Sequence, residues 1–327
     1  YHQQKWEKFS RTAEEMLLLA KKNNFDSIFL KSTLLGSDNI NLFAPLLLEA
    51  RDRNIYNNYV SGLLAELGLS NLDSHPGYYL RIKSFGNLRV WRGKDEISSK
   101  EWEREKAKEL FLLFLIHRGE LIPKEKIYYY LWPEKDEDTA SRNFKVTLNA
   151  LKNALEPERK PRQKPFFINR RGSSYGFNQN AGYVFDVEEF EQLISRGDRV
   201  ENKQERINYY QTAVNLYDDD FIIDKLYIDW IRNERERLRN KYLNTADKLM
   251  TDYFKQNSCE QCIEICNDIL QIDNCWEKAY LYKMKCYDKL DRRSMALKVY
   301  KKCNQVLDRE LNVFPIPEIE NYYKKLI

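Results

Sequence analysis

Apolar positions along the chain change their spacing twice. From residue 1 to about 73 they recur at helical intervals: Trp6, Phe9, Ala13, Leu17 and Ala20 form one stripe, and Leu42 to Arg53 and Ile55 to Leu67 carry two more. The run Asn71 to Gly77, with Asp, Ser, Pro and Gly together, predicts the end of that segment. Short alternating runs follow, Tyr79 to Phe85 and Asn87 to Trp91, separated by Gly86 and closed by Gly93; these predict strands.

Three helices are expected next. The first spans about Glu103 to His117, buries Leu110, Leu113, Phe114 and Ile116, and stops at Gly119. The second starts at Pro123, because the first turn of a helix does not need the N–H that proline lacks, and ends at Trp132-Pro133. The third follows the acidic loop Glu134 to Asp138 and runs to about Leu155. Phe166 to Arg170 and Tyr175 to Phe177 flank a polar, basic turn, the pattern of a β-hairpin. Strands, three helices and a closing hairpin together predict a winged helix-turn-helix.

From Tyr183 onward the spacing is helical to the end, with breaks at Asp218 to Asp224, Asp273-Asn274 and Phe314 to Pro317. Cys262-Ile263 and Ala296-Leu297 are equivalent positions at the 34-residue tetratricopeptide period. The expected fold is mainly α with a small α+β part. Residues 1–77 read as a helical linker or the end of an upstream sensor region, 78–180 as a winged-helix domain, and 181–327 as an all-α, tetratricopeptide-like domain.

Composition sharpens this in two places. The net charge of +4 is uninformative, but nine Lys or Arg between Thr139 and Gly176 face only Glu156 and Glu158, a local excess of +7. Concentrated positive charge beside a helix is what a polyanion site requires, since each phosphate contact releases counterions. All six cysteines lie between Cys259 and Cys303, a local feature that reads as reduced thiols. No apolar run reaches the roughly 18 residues of a membrane span, so a soluble, cytoplasmic protein is expected. The chain starts at Tyr1 rather than Met, which reads as a fragment of a longer polypeptide.

On the third helix, Ala140, Phe144, Leu148, Leu151 and Leu155 share one side and form its core face. The opposite side carries Arg142, Lys145, Val146, Asn149 and Asn153, with Lys152 on the flank. Arg or Lys can donate two bonds to guanine, Asn can pair with adenine, and Val can touch a thymine methyl. Arg170, Arg171, Ser173, Ser174 and Tyr175 in the hairpin suit flanking phosphates. The same helix face would also be unremarkable as a solvated surface; its setting beside a basic linker and a basic hairpin favours DNA.

The segment Arg104 to Pro157, including Leu131-Trp132-Pro133, resembles the bacterial transcriptional activator family that includes the actinobacterial antibiotic regulatory proteins. So do FDVEEFEQLI, IDWIRNERERLRNKYL and Ala296 to Glu318 in the last part. The resemblance implies a winged helix followed by a bacterial transcriptional activator domain. It further implies binding to promoter direct repeats, with a homodimer as one arrangement, and recruitment of RNA polymerase through its sigma and alpha subunits. The loop with Trp132, Glu134, Lys135 and Asp136 would face the polymerase. Asp218-Asp219-Asp220 and Asn312 depart from the family's usual glycines. Residues 35 to 76 resemble the segment that joins an ATPase sensor to its effector, although the chain holds no phosphate-binding loop of its own.

Other chemistry is weakly signalled. Cys259, Cys262 and Cys266 fall on one helix face and read as core rather than as zinc ligands, and no cofactor or metal is expected. The Asp218 to Asp220 run lacks the alternating oxygens of a calcium loop. His2, His75 and His117 form no nucleophile-base pattern, so an enzyme is not expected. The rival readings are an interaction scaffold with a degenerate winged helix, and a gated regulator in which residues 1–76 hold the DNA face closed.

Overall fold

The computed structural model describes residues 6–30, 43–70, 72 and 75–327. Leu42, Asn71, Asp73, Ser74 and the side chain of Trp6, all used above, lie outside the described residues. The chain divides into two compact units: residues 1–83 with 88–185, and residues 84–87 with 186–327. The segment read as 1–77 therefore clusters with the residues that follow it.

Unit 1 begins with α1 (Trp6–Asn23), which buries Phe9, Ala13, Leu17 and Ala20 along the expected stripe. The single turn α2 (Ser27–Leu30) and the packed pair α3 (Ala44–Asp52) and α4 (Asn57–Glu66) complete the helical part. Strand β1 (Leu80–Lys83) alternates buried Leu80 and Ile82 with exposed Arg81 and Lys83, as a sheet with one wet face demands. It pairs antiparallel with β2 (Arg89–Arg92), and β2 with the two-residue β3 (Asp95–Glu96).

Helix α5 (Glu105–Ile116) is buried continuously from Leu110 to Leu115, so it is the centre of the unit rather than a surface helix. Strand β4 (Ile122–Pro123) follows and corrects the sequence reading: Pro123 pairs opposite Ser174 and caps α6 (Lys124–Leu131) instead of opening it. An edge strand tolerates proline because no N–H is needed there. Helix α7 (Glu137–Leu155) starts inside the run expected as an acidic loop. Asp136 is its cap, accepting the Thr139 N–H at 2.9 Å, and Glu137 and Asp138 occupy the first turn, where negative charge favours the helix.

Strands β5 (Ile168–Arg171) and β6 (Ser174–Phe177) form the hairpin, and the order in this sheet is β4-β6-β5. Gly172 turns the hairpin at a φ of +60°. Strand β7 (Tyr183–Phe185) then joins the first sheet parallel to β1, Leu80 opposite Tyr183. The helical stretch expected from Tyr183 therefore begins three residues later, at Asp186; a strand this short has no period to read.

Unit 2 is a succession of helices, each packed on the one before: α8 (Asp186–Arg199), α9 (Lys203–Leu216), α10 (Asp229–Lys255), α11 (Cys259–Ile272), α12 (Glu277–Lys289), α13 (Arg293–Leu311) and α14 (Pro317–Leu326). The 34-residue correspondence is real in packing terms, since Cys262 and Ala296 are both fully buried on α11 and α13. Cys259 and Cys266 are buried core positions as well. Asn312 ends α13 with a φ of +53°, a conformation asparagine tolerates better than other residues with a side chain. Its departure from glycine therefore leaves the turn intact.

The short stretch 84–87 is held inside unit 2. Phe85 packs edge-on against Phe190 at 5.4 Å and against Tyr217 at 4.8 Å. Arg235, only 6% exposed, donates to the Phe221 carbonyl at 2.7 Å and also to the Ile222 and Lys225 carbonyls, fixing the turn between α9 and α10. Among the described residues no helix is long and apolar enough to cross a membrane.

Candidate nucleic-acid interface

Helix α7 presents the expected two faces. Ala140, Phe144, Leu148, Leu151 and Leu155 are buried, while Arg142, Lys145, Val146 and Asn149 are exposed. Val146 keeps 46% of its surface in water, so its methyl groups are accessible on that face. Asn153 and Lys152, one turn further on, are half-buried. Thr139, overlooked in the sequence reading, accepts a hydrogen bond from the Arg142 guanidinium at 3.1 Å. The i, i+3 spacing of the two residues was the available signal.

The hairpin tip is built on the same helix. Tyr175, expected at the phosphate-facing surface, is only 8% exposed. Its ring packs edge-on against Phe144 at 5.0 Å, and the Arg170 guanidinium lies over it at 5.3 Å. Tyr175 thus anchors the hairpin to α7 and sets the position of Arg170. Arg170 also donates to the Gly172 carbonyl at 2.9 Å, leaving it directed along the tip. Arg170, Arg171 and Ser173 are exposed and Ser174 is half-buried. Gly176 is needed because a Cβ there would lie 2.5 Å from the Glu120 backbone oxygen. The hairpin could not seat beside β4 with any other residue at that point.

Lys152 connects the two parts electrostatically. Burial, then the nearby charges of Arg159 and Arg170, hold its ammonium below the usual lysine range. The charges of Arg159 on the linker and Arg170 on the hairpin are thus felt at the end of the helix, and Glu156 partly offsets them.

The linker between α7 and β5 owes its shape to Glu156. That carboxylate is 6% exposed and accepts the N–H groups of Phe166 at 2.8 Å and Phe167 at 3.0 Å. Burial raises its pKa, and the two N–H donors oppose the rise. One of the two acids counted against the basic segment is thus turned inward. Lys160, Arg162 and Lys164 remain exposed on the loop that Glu156 closes.

The loop before α7 is exposed at Glu134, Lys135 and Asp136, with Trp132 half-buried behind them. Asp136 is already committed as the helix cap, and the Thr139 backbone N–H holds its carboxyl below the usual range.

Comparison with known proteins bears on the second unit most directly. Residues 185–327 match the bacterial transcriptional activator domain. The match coincides with unit 2 apart from the stretch 84–87 and the junction residue Phe185. Among solved structures, Mycobacterium tuberculosis EmbR in complex with a low-affinity phosphopeptide aligns over 76% of this chain with a TM-score of 0.63 and 14% identity. The alignment covers 65% of the EmbR chain, and at this identity the likeness is one of fold. Two complexes of yeast Sti1, the TPR2B domain with pHsp70 and the TPR2AB domain with pHSP90, align at TM-scores of only 0.28 and 0.23, each at 13% identity. The first covers 43% of this chain and 92% of the other, the second 70% and 99%. No curated protein matches the sequence.

Proposed function

We propose that the chain is a sequence-specific, DNA-binding transcription activator. The observation that carries this reading is the exposed face of α7, where Arg142, Lys145, Val146 and Asn149 stand together beside a hairpin whose tip carries Arg170 and Arg171. In this reading residues 78–180 act as a winged helix. The α7 face enters the major groove, and the hairpin and the 157–165 loop hold the flanking phosphates. The match of residues 185–327 to the bacterial transcriptional activator domain supports a promoter as the target and RNA polymerase as the recruited partner. The loop Trp132 to Asp136 is then free to meet the polymerase, on DNA direct repeats that a homodimer would read.

The test is selection of bound sequences from random double-stranded DNA by the full chain, repeated at two salt concentrations. A short direct repeat should be enriched, and its affinity should fall steeply with salt, since several phosphates are neutralised. Absence of any enriched sequence would leave a protein-binding scaffold as the better account.

A further inference from the structure

A cavity of about 280 Å³ lies in unit 1 between α3, the stretch 75–78 and the loop that follows α7. Two residues of its wall carry a buried donor with no acceptor among the described residues: His75 at Nε2 and Arg159 at Nε. His75 is 8% exposed, and the Gly77 N–H donates to its Nδ1 at 2.9 Å. Nδ1 is therefore the bare nitrogen of a neutral ring, and the proton sits on Nε2. Burial keeps the ring neutral by lowering its pKa to about 3. Arg159 commits Nη1 to the Gln163 carbonyl at 2.9 Å and leaves its Nε–H bare.

The two residues are tied together through Glu156. The His75 ring packs on Phe166 at 4.2 Å, the Phe166 N–H is held by the Glu156 carboxylate at 2.8 Å, and that carboxylate feels the charge of Arg159. A buried N–H without an acceptor is rare in a folded protein and points to a group that the chain itself does not supply. One water takes up about 30 Å³. The cavity therefore admits an occupant several atoms larger than a bridging water.

The rest of the wall limits what that occupant can be. Four acids line it against two bases, Arg159 and Lys160. Glu49 bridges Arg53 at 2.6 Å and Glu156 holds Phe166 and Phe167, but Glu158 makes no ion pair with any described residue. A doubly charged phosphate would meet more acid than base. A carboxylate offers two acceptor oxygens to two N–H donors and carries a single charge, which the Arg159 guanidinium balances.

We propose that this cavity binds a small organic carboxylate through the His75 and Arg159 N–H groups. The ligand is either a plain carboxylic acid or an amino acid whose ammonium meets Glu158. Thermal-shift screening of the full chain needs no DNA, so its outcome is independent of the proposed promoter binding. The probes are the standard L-amino acids, short straight-chain mono- and dicarboxylic acids, and inorganic phosphate, followed by calorimetry on the strongest. At least one carboxylate should raise the melting temperature saturably, and its primary amide should bind about tenfold more weakly or worse. An amino acid as the strongest probe assigns the ammonium to Glu158, and a plain acid as the strongest assigns the simpler ligand. Arg159→Lys keeps the charge but has a methylene where the Nε–H stood, and should weaken binding about tenfold. His75→Asn keeps an acceptor for the Gly77 N–H but lacks the second donor, and should weaken it about threefold to tenfold. Circular dichroism should show both variants folded, and the amide comparison, made on the parent chain, decides the matter even where a variant does not fold. Binding by no carboxylate, tighter binding of phosphate or of the amide, or equal binding by the parent and both folded variants overturns the proposal.

Discussion

Ser84 gives both of its donors to one carboxylate: its backbone N–H reaches Asp186 Oδ2 at 2.6 Å and its hydroxyl reaches Oδ1 at 2.8 Å. The Phe85 and Val187 N–H groups complete the set at 3.0 and 2.9 Å. Burial raises the Asp186 pKa and these donors pull it back, so the carboxylate is retained by hydrogen bonding in place of a counter-charge. Asp186→Asn turns two donors toward donors and should cost unit 2 about 2–3 kcal/mol, read from urea unfolding. Ser84→Ala removes one bond of the four and should cost about 1 kcal/mol. Equal losses in the two variants would show that the carboxylate is not the organising group.

Arg142→Ala and Asn149→Ala test the major-groove assignment. Each should reduce discrimination between the selected DNA and a single-base variant by about 1–3 kcal/mol, measured by competition binding. A uniform loss of affinity on all sequences would mean that these residues hold phosphates and do not read bases.

Arg171→Ala in the hairpin and Lys160→Ala in the linker should behave in the opposite way. Each should lower the salt dependence of binding by about one counterion while leaving the preferred sequence unchanged. A changed preference would move the base-reading surface from α7 to the hairpin.

His75 provides a pH signature for unit 1. It is 8% exposed, packs edge-on against Phe166 at 4.2 Å, and accepts the Gly77 N–H on Nδ1 at 2.9 Å. Burial lowers its pKa to about 3. The unfolded chain takes up a proton near pH 6.5, whereas the folded chain does not until about pH 3. Stability from the neutral ring is therefore complete above about pH 6.5 and declines as the pH falls toward the folded value, by at most about 1.4 kcal/mol per pH unit. His75→Leu should flatten the slope between about pH 7 and pH 5, where few carboxylates titrate. An unchanged slope would place the imidazole in water.

Gly176→Ala should displace the hairpin, because the obstructing atom is backbone and cannot rotate away. A loss of about 1–3 kcal/mol in stability is expected, with weakened DNA binding. Gly172→Ala meets no atom within 4 Å and strains only its own backbone, so about 1 kcal/mol is expected there.

What could be read from the sequence was whatever repeats. The stripes of α1 and α7 and the two arms of the hairpin declared themselves through spacing, and Arg142, Lys145, Val146 and Asn149 emerged on the exposed face as a consequence; in α5 the expected stripe gave way to continuous burial from Leu110 to Leu115, with Ile116 only half-buried. Elements with too few residues to repeat did not. Strand β3 has two residues, β4 has two and β7 has three, too few to show a period, and β4 and β7 exist only through partners distant in sequence. Tyr175 was misplaced for a related reason. Alternation along β6 says which residues share a face, but only the tertiary contact with Phe144 decides that its face is buried.

The residence of Phe85 among Phe190, Tyr217 and Phe221 has a bearing on how the protein is made. Ser84 is synthesised 102 positions before its partner Asp186, so on the ribosome the 84–87 stretch must wait for helices that have not yet been translated. A polypeptide cut to the boundaries 185–327 would be born without that stretch and would leave an aromatic socket open to water. Its appetite for other apolar chains would reflect where the cut was placed rather than any partner the intact protein seeks.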